Sequence, residues 1–67
     1  MIIYKDILQK LKEAGYSTYR LRKEKIIGDS TLTQIRNNKP INTETLNLIC
    51  KLTGLPIEEL IEYQDTE

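Results

Sequence analysis

The sequence has 67 residues, enough for one domain spanning 1–67, and a chain this short buries only about 60% of its unfolded surface, so a second copy would add stability. Cys50 is the one cysteine, which excludes a disulfide framework. There is no histidine, nucleophile–base pairing, phosphate-binding glycine loop or metal-ligand cluster, which argues against an enzyme and against any cofactor or metal. Ten basic and ten acidic residues cancel, yet they are segregated. Ser17 to Lys39 holds six basic residues against two acidic ones, whereas Glu58 to Glu67 holds five acidic residues and no basic one. A polyanion would sense the basic middle locally, because charges farther off than a Debye length of about 8 Å are largely screened.

The first ten residues carry Lys5, Asp6 and Lys10 without an apolar h-region, and no stretch reaches the ~20 apolar residues of a membrane span. The expectation is a soluble, cytoplasmic protein with no membrane association. Ile3, Ile7, Leu8 and Leu11 recur at helical spacing and predict a first helix over Tyr4–Ala14, closed by Gly15.

One local pattern then announces four more helices. An apolar residue precedes an N-cap position, and a leucine follows four residues later: Tyr16-Ser17 to Leu21, Ile27-Gly28 to Leu32, Ile41-Asn42 to Leu46, and Leu55-Pro56 to Leu60. These are the N′ and N4 positions of a hydrophobic staple. Ser17 and Asn42 are good caps, Gly28 is acceptable, and Glu58 and Glu59 suit the first turn of the last helix. The predicted helices are Thr18–Lys25, Asp29–Asn37, Thr43–Thr53 and Ile57–Tyr63, with Asn38 and Gly54 suited to left-handed stops. No alternation is long enough to predict a strand. Cys50, spaced with Leu46 and Ile49, reads as core packing, and Tyr4 and Tyr16 read as staple or core-edge residues. From about residue 62 to 67 the chain reads as a solvated acidic tail.

The second and third helices, joined by Ile26-Ile27-Gly28, form a helix–turn–helix candidate. In the third, Leu32 and Ile35 face inward. Asp29, Ser30, Thr33 and Gln34 then point mostly outward, with Thr31 and Arg36 on the flanks. Short hydroxyls, an amide and a carboxylate supply donors and acceptors with little bulk, as a groove floor requires.

Three stretches carry a resemblance. They are Gly15-Tyr16-Ser17-Thr18-Tyr19-Arg20-Leu21, then Ser30-Thr31-Leu32-Thr33-Gln34-Ile35-Arg36-Asn37-Asn38-Lys39, then Thr45-Leu46 through Ile49-Cys50 to Leu55-Pro56-Ile57-Glu58-Glu59-Leu60. In this order and spacing, over Leu11 to Tyr63, the chain resembles the phage-repressor/Cro-type helix-turn-helix family, also called the xenobiotic-response-element family, and within it the short single-domain bacterial regulators. The resemblance implies an all-α, compact five-helix, lambda-repressor-like domain. It also implies a sequence-specific double-stranded DNA-binding transcriptional regulator, a repressor that puts its third helix in the major groove. Asp29, Ser30, Thr31 and Gln34 become the base readers, with Thr33 less well placed. Gln34 can pair bidentately with adenine, and Asp29 can either accept from cytosine N4 or stabilise its own helix start. Phosphate contacts fall to Thr18, Tyr19, Arg36, Asn37 and Lys39, helped by the backbone N–H groups at Thr18 and Tyr19.

The implied assembly is a homodimer on a two-fold operator, with half-sites about 34 Å apart. Its contact lies on the fifth helix through Leu60, Ile61 and Tyr63, or on the fourth. No small-molecule ligand is indicated. The competing class is an antitoxin-like or anti-repressor module that keeps the fold and acts on a protein partner. Two positions depart from the family. Ile26 stands where glycine is common, so the turn takes another conformation or the second helix runs on; Arg22 stands where alanine is common.

Overall fold

Local signals set most of the helices. In the computed structural model, which describes residues 1–65, Ser17 has extended backbone and its Oγ accepts the Arg20 N–H at 3.2 Å, opening α2 (Thr18–Lys23). Asn42 does the same for α4 (Thr43–Thr53), its Oδ1 accepting the Thr45 N–H at 2.8 Å. Each bond satisfies a donor that has no partner inside the helix. Gly28, also extended, precedes α3 (Asp29–Arg36) without a side-chain cap. The first helix, α1 (Ile7–Glu13), begins after Asp6 in the left-handed region.

Three helices end alike. After α1 the N–H of Tyr16 reaches the Leu11 carbonyl at 2.8 Å and that of Gly15 reaches Lys12 at 3.0 Å. After α2, Ile26 bonds Leu21 at 2.9 Å and Lys25 bonds Arg22 at 3.1 Å; after α3, Lys39 bonds Gln34 at 2.7 Å and Asn38 bonds Ile35 at 3.2 Å. These are Schellman closures, each needing a left-handed residue. Gly15, Lys25 and Asn38 fill that position with φ of 97°, 55° and 55°. The turn at Ile26 is thereby resolved. The left-handed residue is Lys25, one position earlier, so the β-branched side chain escapes the strained region and the helix stops at Lys23.

The expectation of an all-α domain with five helices needs correcting at both ends. The first helix, expected over Tyr4–Ala14, begins only at Ile7, and Tyr4 belongs instead to β1 (Ile2–Tyr4), which pairs antiparallel with β2 (Ile61–Tyr63) in the register Ile2 to Tyr63, Ile3 to Glu62 and Tyr4 to Ile61. Between them, Pro56 leads into a 3-10 turn at Ile57–Glu59 that stops at Leu60 where a fifth helix was predicted over Ile57–Tyr63. The domain is mostly helical, with four α-helices and this small sheet among the described residues. The reason is physical. β-branched and aromatic residues stand at both ends, Ile2, Ile3 and Tyr4 on one strand and Ile61 and Tyr63 on the other, and they suit an extended pair whose cross-strand bonds use the backbone groups that a last helix would need. Of the acidic tail expected over about 62–67, Glu62 and Tyr63 belong to β2, and residues 66 and 67 lie outside the described residues.

The outer edge of β1 is closed by a side chain. Asn38 Oδ1 accepts the Tyr4 N–H at 2.8 Å and its Nδ2 donates to the Ile2 carbonyl at 2.8 Å, as a neighbouring strand would. The Tyr4 hydroxyl donates to the Lys39 carbonyl, and burial raises its pKa. The residue that ends α3 therefore also ties it to the sheet. Asn38→Gly should relieve the backbone at φ 55° yet lose both bonds, costing about 1–2 kcal/mol in urea unfolding. A stabilised variant would show that the clip is idle.

The core takes a side chain from nearly every element: Ile7 and Leu11 of α1, Leu21 of α2, Ile27 of the turn, Leu32 and Ile35 of α3, Ile49 of α4, and Leu60. Cys50 is half-buried against it, as are the staple residues Tyr16, Ile41 and Leu55. α1 packs on α3 and α4, which leaves the opposite side of α3 open.

Candidate nucleic-acid interface

Burial of Leu32 and Ile35 fixes the rotation of α3 about its axis. With 3.6 residues per turn, Ser30, Thr33, Gln34 and Asn37 occupy positions i, i+3, i+4 and i+7, a single stripe opposite the buried pair. All four are exposed. Asp29 and Arg36 flank this stripe on one side, both exposed, and Thr31 flanks it on the other, half-buried. The geometry therefore favours Thr33 over Thr31 as a member of the surface, the reverse of the order the resemblance implies. Lys39 is exposed just past the helix, while its main chain is held at both ends by Tyr4 and Gln34.

On α2, Thr18 is half-buried and Tyr19 is 65% exposed, with the Lys23 ammonium 5.5 Å from its ring centroid. The basic residues of this helix differ in what they do. Arg20 is committed to the fold: its Nε meets Glu24 at 2.8 Å, its Nη1 donates to the Gly15 carbonyl at 2.9 Å, and it stacks 4.7 Å above Tyr16. Arg22 instead reaches across the turn, its Nε 3.5 Å from Asp29 Oδ1. Exposed ion pairs of this kind add only about 0.2–1 kcal/mol to stability.

The sequence reading omitted Arg22 from the site. The signal available was an opposite-charge pair seven residues apart across a predicted turn, which gains meaning only once the turn geometry is known. Among the described residues no group of three His, Cys, Asp or Glu side chains is placed to hold a metal, and no helix is long and apolar enough to cross a membrane.

This arrangement, two short helices joined by a tight turn with a polar stripe on the second, coincides with a family match. The model of the Cro/C1-type helix-turn-helix DNA-binding domain matches residues 6–66. The chain belongs to this family. No curated protein and no solved structure matches it. As a Cro/C1-type domain it is a DNA-binding module whose helix-turn-helix is α2 and α3, and its partner is DNA. Its departures from the expected pattern are absorbed locally: Lys25 takes the strained backbone of the turn, and Arg22 finds a carboxylate.

Proposed function

We propose that the domain is a sequence-specific transcriptional regulator that inserts α3 into the major groove of double-stranded DNA and acts as a repressor by occupying its operator. One observation carries this reading: the stripe Ser30, Thr33, Gln34 and Asn37 is polar, exposed and uncharged, directly opposite the side that anchors α3 to the core. A major groove about 12 Å wide admits a helix, and side chains of this kind read base edges. Gln34 pairs with adenine, Ser30 and Thr33 donate or accept, and Thr31 reaches in from the flank. Asp29 stands at the edge of the readout. Thr18, Tyr19, Arg36, Asn37 and Lys39 hold the phosphates on either side and fix register without reading sequence.

The regulator works as a homodimer, each copy reading one half-site. Leu60 does not take part in this contact, because it is fully buried and no fifth α-helix among the described residues presents it. The cross-strand neighbours Ile2 and Tyr63, 46% and 71% exposed, supply apolar surface for the two-fold contact instead.

A salt titration on random duplex tests the reading. With about three to four phosphates neutralised per copy, log affinity should fall against log salt with a slope of about −3 per subunit. A flat response would instead favour the module that acts on a protein partner.

A further inference from the structure

Asp29 presents a difficulty for a DNA-binding surface. It is the first residue of α3, its side chain is 77% exposed, and it flanks the stripe proposed to enter the groove, where a bare carboxylate would meet phosphates of its own sign. The structure supplies a counter-charge from another element. Arg22 on α2 extends over the turn to within 3.5 Å of the carboxylate, while its own side chain stays 53% exposed. Two clefts flank this part of the helix-turn-helix, one lined by Tyr19 and Lys23, the other by Lys25, Ile27 and Gly28. Arg22 and Asp29 line both. The pair thus forms the rim between α2 and α3.

We propose that Arg22 is a charge-compensating positioning residue. It neutralises Asp29 at the DNA-facing rim, so that α3 can approach the phosphates and the Asp29 carboxylate is held where it can accept from a base. The inference rests on the DNA-binding reading above and adds a residue that the reading does not otherwise use. It differs from the simpler role of Arg22 as another phosphate contact. Were Arg22 a phosphate contact, neutralising Asp29 would free the guanidinium and leave the loss on Arg22→Ala as large or larger; as a compensating charge it also spares the carboxylate from standing unpaired against the DNA, and that part of the loss disappears with the carboxylate.

The test is a double-mutant cycle of Arg22→Ala and Asp29→Asn, with affinity for random duplex measured by fluorescence anisotropy at low salt. With Asp29 intact, Arg22→Ala should weaken binding about tenfold; in a protein already carrying Asp29→Asn, the loss should shrink to about threefold or less. Arg22→Lys, which keeps the charge, should stay within about threefold of wild type. Because both side chains are exposed, circular dichroism and the unfolding midpoint should change little across the set, so a change in stability cannot account for the coupling. Equal losses with and without the carboxylate would overturn the inference while leaving DNA binding intact. A wild type that fails to bind duplex would overturn both.

Discussion

Leu21→Ala should destabilise the domain strongly. Leu21 is the buried residue that α2 contributes to the core, and it is 0% exposed among Ile7, Leu11, Ile27 and the other core side chains. Truncating a buried leucine removes its transfer energy and leaves a cavity, together about 2–5 kcal/mol. A domain of 67 residues has a total stability of roughly 3–10 kcal/mol at roughly 0.05–0.15 kcal/mol per residue. The loss therefore consumes much of that margin. The site has little capacity to relax, because the Leu21 carbonyl receives the Ile26 N–H at 2.9 Å and, more weakly, the Ile27 N–H at 3.4 Å, so the turn is fastened to the same residue. Urea unfolding followed by circular dichroism should show the midpoint falling towards zero denaturant. A shift equivalent to less than about 1 kcal/mol would mean that α2 is held by something other than this side chain.

Gln34→Ala should behave in the opposite way, with stability unchanged and recognition impaired. Gln34 is exposed on the side of α3 away from Leu32 and Ile35, and its side chain has no packing duty. Its main-chain carbonyl, which accepts from Lys39 at 2.7 Å, survives the substitution. Stability should stay within about 0.5 kcal/mol, as for surface positions generally. Affinity for the cognate site should fall by about 1–3 kcal/mol, with one base position relaxed. Lys39→Ala is the contrasting variant. It should weaken cognate and random duplexes about equally and reduce the salt slope by about one.

What could be read in advance divides by the range of the interactions involved. The limits of α4 match the prediction to the residue, α2 and α3 begin where Ser17 and Gly28 place them, and Gly15 and Asn38 stop their helices. Caps and left-handed closures involve residues about three to five apart, so their signals lie within one short stretch. The errors involve distant partners. Ile2–Tyr4 carries apolar spacing compatible with a helix, and nothing near it announces that Ile61–Tyr63 will pair with it from the other end of the chain. The turn is a local exception: Ile26 is unsuited to positive φ, but nothing marks which neighbour takes that conformation in its place, and Lys25 does so at φ 55°. The interface shows the same division. Its stripe follows from helical period and the inward pair, whereas the Arg22–Asp29 contact and the Asn38 clip to β1 depend on how the turns fold.

The most direct test of the α3 surface is in vitro selection from random duplexes, run in parallel with wild type and Gln34→Ala. Wild type should enrich a two-fold symmetric site with half-sites about 34 Å apart, and Gln34→Ala should lose preference at one position in each half. Identical motifs from both proteins, or no enrichment from wild type despite measurable duplex binding, would contradict the assignment of α3 as the reading helix.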